Sequence, residues 1–118
     1  MKAKDLLGRR GELLAVEYLA GAGLIVLERN WRCAEGEIDI VALEGDVTVF
    51  VEVKTRSSIA YGHPLEAITV AKMARLRRLA GCWCAVHEPA ARRIRIDAVG
   101  IVAPYNGAPV IEHVRDIF

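Results

Sequence analysis

Gly36-Glu37-Ile38-Asp39-Ile40-Val41-Ala42-Leu43-Glu44-Gly45-Asp46-Val47-Thr48-Val49-Phe50-Val51-Glu52-Val53-Lys54 is the stretch from which the rest of the chain can be read. Two runs rich in Val and Ile flank Gly45-Asp46, a dipeptide suited to a two-residue hairpin turn. Pairing counted outward from that turn sets Glu44 opposite Val47, Val41 opposite Phe50, Asp39 opposite Glu52 and Glu37 opposite Lys54. Side-chain alternation then puts Glu37, Asp39, Val41, Leu43, Thr48, Phe50, Glu52 and Lys54 on one face. Ile38, Ile40, Val49, Val51 and Val53 fill the other, which is wholly apolar. The first face is hydrophobic near the turn and charged at its open end, where the Cβ atoms of Asp39 and Glu52 are expected about 5 Å apart.

Directly opposed carboxylates repel, and the crowding predicts raised pKa values unless a proton or a cation sits between them. A divalent ion resolves the conflict: hard oxygen ligands from one or two carboxylates, completed by water, suit Mg²⁺, which also binds phosphate. Such an ion polarises a phosphoryl oxygen and acidifies a bound water. Lys54, on the same face as Glu52, is placed to orient or deprotonate that water or to neutralise charge on the phosphate. Glu37 opposite Lys54 reads more simply as an ordinary cross-strand ion pair.

Upstream, Leu7, Gly11, Leu14, Ala15, Tyr18, Leu19 and Ala22 recur at helical spacing, predicting a helix over 5–22 that ends at Gly21 and Gly23. Glu12 lies near its apolar face, with Gly8, Ala15, Val16 and Leu19 as neighbours three and four residues away, so it can approach the metal ligands. A first strand is expected over 24–27. Downstream, 57–64 reads as a loop, and Thr69 as the cap of a second helix with Met73, Leu76, Ala80 and Trp83 as its buried stripe. That helix ends near His87 to Pro89. Strands over 93–103 and 110–114 complete the order α-β-β-β-α-β-β, an α/β chain with a sheet flanked by helices.

At 118 residues and 53% hydrophobic, the chain is expected to fold as one domain over 1–118. Met1-Lys2-Ala3-Lys4-Asp5 runs straight into a charged helix and no apolar run reaches membrane length, so neither an apolar leader nor a membrane span is expected. Cys33, Cys82 and Cys84 form neither a disulfide framework nor a CxxC pair, which points to a reducing compartment and hence the cytoplasm. His63, His87 and His113 share no ligand spacing with them, and no phosphate-binding glycine loop occurs. A formal net charge of +1 does not announce a nucleic-acid binder. Its distribution says more: Lys72, Arg75, Arg77, Arg78, Arg92, Arg93 and Arg95 gather in one sector, while acids concentrate in the first 52 residues.

Gly11-Glu12, Arg29-Asn30-Trp31-Arg32, Gly36-Glu37-Ile38-Asp39, Phe50-Val51-Glu52-Val53-Lys54-Thr55-Arg56 and Lys72 after Thr69 together resemble the YraN family of bacterial endonuclease-like proteins. Within them, Ile38-Asp39 and Glu52-Val53-Lys54 resemble the two halves of the PD-(D/E)xK nuclease signature, with Ile38 where many nucleases have proline. The resemblance runs from about Gly8 to about Val102. It implies a restriction-endonuclease-like fold with a central mixed five-stranded sheet, related to archaeal Holliday-junction resolvases. It also implies catalysis by Glu12, Asp39, Glu52 and Lys54, with Asp39, Glu52 and Glu12 holding Mg²⁺ or Mn²⁺ for hydrolysis of DNA phosphodiester bonds. Branched DNA and recombination or repair intermediates are the implied substrates, and a homodimer the implied assembly. Lys72, Arg75 and Arg92 to Arg95 are candidates for backbone phosphate contacts, and Arg56, on the strand face of Lys54, is a stronger one. The competing readings are a non-catalytic nucleic-acid-binding or adaptor protein on the same fold, and a structural partner of another machine. A pure binder gains nothing from carboxylates facing phosphate.

Overall fold

The computed structural model describes residues 3–87 and 93–117. The chain runs α1 (Ala3–Gly21), β1 (Ile25–Cys33), β2 (Gly36–Glu44), β3 (Val47–Arg56), a 3-10 turn (Pro64–Ala67), α2 (Val70–His87), β4 (Arg93–Val102) and β5 (Val110–Val114). The strands form a mixed five-stranded sheet in sequence order, with β3 and β4 parallel and the other neighbours antiparallel. A parallel pair needs a crossover, and α2 supplies it. No helix among the described residues is long and apolar enough to cross a membrane. Arg92 and Phe118 lie outside the described residues.

Each face of the sheet is covered by one helix. On one side, Ala15 and Leu19 of α1 bury Ile40, Ala42, Val49, Val51, Val99 and Ile101. On the other, Met73, Leu76, Leu79, Ala80 and Trp83 of α2 cover Val41, Phe50 and Ile96. The predicted helical stripe is thus the buried one. Thr69 caps α2, its hydroxyl accepting the Lys72 backbone N–H at 3.2 Å. Of the C-terminal apolar residues, Ile111 packs against the α1-side core and Ile117 against the α2-side core, while Val110 stays exposed.

β1 runs to Cys33 instead of stopping at Leu27, as its polar sequence had suggested. It is an edge strand, so Glu28, Arg29 and Asn30 keep one side in water, and a register shift between Val26 and Glu28 disguises the alternation.

A buried polar network ties β4 to the C-terminal segment. Asp97 is fully buried and accepts two hydrogen bonds from Arg95, at 2.8 and 3.0 Å. It also contacts His113 at 2.7 Å and accepts the Asp116 N–H at 2.9 Å. Burial alone would raise its pKa, but His113, Arg95 and the Asp116 N–H together hold it down to about 2. Because the folded value lies below the unfolded one, this carboxylate contributes stability above about pH 4 that is lost as pH falls toward 2. Asp97→Asn is therefore expected to cost about 2 kcal/mol at neutral pH and to flatten the acid limb of unfolding. Urea melts at pH 7 and pH 3 measure both, and equal loss at the two pH values would remove the charge from the explanation.

Candidate metal and phosphate site

Three departures from regular structure assemble the site. The first is the end of a ladder. β2 and β3 pair as the turn predicts from Glu44 and Val47 to Ile40 and Val51, and then part. Beyond that point the Val53 N–H donates to the Asp39 carboxylate at 2.8 Å, a side chain taking the place of a backbone partner.

The second is an inversion of faces on the neighbouring pair. Arg29 pairs with Ile40 and Trp31 with Ile38, but Ile40 packs into the α1-side core whereas Ile38 and Trp31 pack into the α2-side core. Strict alternation puts Ile38 with Ile40, so that expectation is corrected. The break falls at Asn30, whose φ of 53° is left-handed, and at Asp39 opposite it. Asp39 consequently has neighbours on both sides of the sheet.

The third is a close approach of helix to strand. Gly11 rests against Thr55 so closely that a Cβ there would overlap the Thr55 hydroxyl and come within 2.7 Å of its Cβ. That contact brings the next residue, Glu12, down to the sheet. Carboxylate oxygens of Glu12, Glu37 and Asp39 all lie within 4.8 Å of one another. Asn30 Nδ2 donates to Glu12 Oε2 at 3.3 Å, and Arg32 Nε pairs with Glu37 at 2.9 Å.

Glu37 therefore does not pair with Lys54, as the extrapolated register suggested. With the ladder open and the faces inverted, it turns to Arg32 and joins the carboxylates. The sequence signal for its role is its position two residues before Asp39, at the charged end of the hairpin.

On the α2 side, Glu37, Asp39 and Glu52 line a cavity of about 310 Å³ with Lys72, Arg75 and the apolar wall of Leu76 and Leu79. Burial, then the charge of Glu52 and more weakly those of Glu12 and Glu37, push the Asp39 carboxyl up to about 7 against the opposing pull of the Val53 N–H. Burial also raises Glu52, although Lys72, Lys54 and Arg75 offset part of that. Lys54 thus sits within electrostatic reach of Glu52, and with Glu12 and Val53 it borders a second cavity on the α1 side. Arg75 lies over Gly36, whose φ of 146° and missing side chain make room for the guanidinium. Lys72 Nζ donates to the Ala67 carbonyl at 2.9 Å. Arg56 follows Lys54 on β3 but does not line the cavity, and its Nε is buried with no hydrogen-bond partner among the described residues.

The arrangement is a set of hard oxygen donors backed by cations, which suits a hard divalent ion and a phosphate together. Residues 11–101, which include every residue of this site, match the model described as "Uncharacterised protein family UPF0102". The chain belongs to the UPF0102 (YraN) family. A UPF0102 protein of Arthrobacter sp. is 57% identical over 99% of both chains. Those of Pseudarthrobacter chlorophenolicus and Beutenbergia cavernae are 54% identical over 99% of this chain, covering 89% and 99% of their own lengths. The UPF0102 match thus begins at the Gly11 contact with Thr55 and ends on β4, leaving β5 outside it.

Proposed function

We propose that this protein is a divalent-metal-dependent endonuclease that hydrolyses DNA phosphodiester bonds. The observation that carries the reading is the placement of Asp39 where the ladder opens, between Glu12 and Glu37 on one hand and Glu52 on the other, with its carboxyl forced up to about 7. Burial and crowding of carboxylates in this way destabilise a fold, and a site that binds a cation turns that penalty into affinity.

Asp39, Glu52 and Glu12 would hold Mg²⁺ or Mn²⁺, with Glu37 as a fourth oxygen donor; the donor set is all carboxylate, which fits these ions. When bound, the ion supplies Lewis acidity at the scissile phosphate and a more acidic attacking water. Lys54 orients that water or neutralises charge developing on the phosphate. Lys72 and Arg75, on the wall facing the carboxylates, meet the phosphate oxygens and keep the polyanion from being repelled by the acidic floor.

The test is a cleavage screen with duplex, single-stranded and branched DNA, and with RNA, in Mg²⁺ or Mn²⁺. Glu52→Ala and Lys54→Ala are each expected to lower the rate by about 10²-fold or more. Equal rates for wild type and both variants would sink the assigned site. DNA bound but uncut under every condition would favour a non-catalytic binder on the same fold.

A further inference from the structure

Asn30 is the residue of the site that neither the metal nor the phosphate explains. It stands opposite Asp39, between the Arg29–Ile40 and Trp31–Ile38 pairs, on an edge strand. Its backbone is left-handed at φ 53°, a conformation that asparagine tolerates better than most residues and glycine tolerates freely. The turn of the backbone there reverses the faces of β1 and β2, and its amide reaches Glu12 on α1 at 3.3 Å. A carboxylate only accepts, so the Asn30 group facing it is the NH₂.

Glu12 needs such a partner. It is the one carboxylate of the cluster carried by the helix rather than by the hairpin, and among the described residues no charged partner holds it in the way Arg32 holds Glu37. A long side chain with free rotamers loses conformational entropy on joining a cation, and a neutral donor that already fixes it lowers that loss without cancelling its charge. A cationic donor in the same place would compete with the metal. A glycine, the residue that suits the backbone best, would leave the carboxylate loose.

We infer that Asn30 is a positioning residue: its amide holds Glu12 in the cation site formed with Asp39 and Glu37, while its left-handed backbone reverses the faces of β1 and β2 beside Asp39. This inference rests on the metal-dependent reading proposed above.

The test separates the amide from the backbone. Asn30→Gly keeps the left-handed conformation and removes only the side chain, so the melting temperature in metal-free buffer should stay equal or rise slightly. Mn²⁺ affinity measured by titration calorimetry on the full chain should fall about 10-fold or more, within the range found for partners that orient metal ligands. In a Glu12→Gln background, Asn30→Gly should add little further loss, because its effect runs through Glu12. Unchanged Mn²⁺ affinity in Asn30→Gly, or full additivity of the two substitutions, overturns the assignment of Asn30 alone. Absence of Mn²⁺ binding by the wild type overturns the metal-dependent reading with it.

Discussion

Asp39→Asn is expected to lower cleavage by about 10³-fold or more and, at the same time, to make the metal-free protein more stable at neutral pH. The first effect follows because Asp39 belongs both to the oxygen cluster with Glu12 and Glu37 and to the cavity with Glu52, and its charge couples to all three. An amide is a much poorer ligand for a hard divalent ion than a carboxylate. The second effect follows from linkage. The folded pKa of Asp39 is about 7 against an ordinary 3.8, so the fold resists its ionisation. That penalty is absent below about pH 4, where the acid is protonated in both states. It grows as pH rises and is complete above about pH 7. The full shift corresponds to about 4 kcal/mol, reduced here to about 1–3 because the carboxyl is only partly withdrawn from solvent.

Asparagine carries no such penalty, and its Oδ1 can still accept the Val53 N–H at the position now taken by the carboxylate. The variant's melting temperature should therefore exceed that of the wild type by about 5–15 °C at pH 8 and by little at pH 4. Saturating Mn²⁺ should narrow the gap at pH 8 by stabilising the wild type alone. A variant no more stable than wild type at pH 8 would deny that the fold penalises ionisation of Asp39, whatever its activity.

Gly11→Ala provides the second large effect, and its sign opposes helix propensity. In an open helix the change is worth about 1 kcal/mol of stabilisation. Here the new methyl overlaps the Thr55 hydroxyl and lies 2.7 and 2.8 Å from its Cβ and Cγ2. Thr55 is β-branched and paired on β3 with Ile101 of β4, so no rotamer clears the space and the helix must lift. We expect a net loss of about 3 kcal/mol and, because Glu12 moves with the helix, a loss of cleavage beyond that explained by unfolding. Thr55→Gly in the same chain restores the gap. The double variant should recover most of the lost stability, a coupling that chemical denaturation measures directly. Gly11→Ala that is as stable as wild type would mean that α1 sits farther from the sheet than its contacts indicate.

The two substitutions mark where sequence reasoning reached and where it stopped. Hairpin arithmetic from Gly45-Asp46 placed the pairs from Glu44–Val47 to Ile40–Val51 correctly, because local turn geometry and two buried faces leave one register. It failed beyond Ile40, where nothing in the hairpin itself announces that the ladder ends and that Asp39 replaces a backbone partner with its side chain. Glu37 departs from its expected partner for the same reason: Arg32 and the carboxylates of Glu12 and Asp39 come from β1, α1 and an inverted segment of its own strand. Lys72 and Arg75 could be named from the sequence as basic residues of α2, but only the fold brings them to the carboxylate cavity and leaves Arg56 off its wall.

Periodicity, turn chemistry and the charged end of one hairpin are therefore enough, from sequence alone, to determine the order of elements, the buried stripe of α2 and the concentration of acid at Asp39 and Glu52, while the α1 stripe ends at Leu19 and leaves Ala22 exposed beyond the helix. Those signals are local, set by side-chain spacing within one element. The tertiary structure alone decided which carboxylates meet, because their meeting depends on a glycine contact between Gly11 and Thr55, a left-handed turn at Asn30 and the parting of two strands at Asp39. The first joins elements distant in sequence, and the other two are departures from regular alternation and pairing that side-chain spacing within one element does not announce.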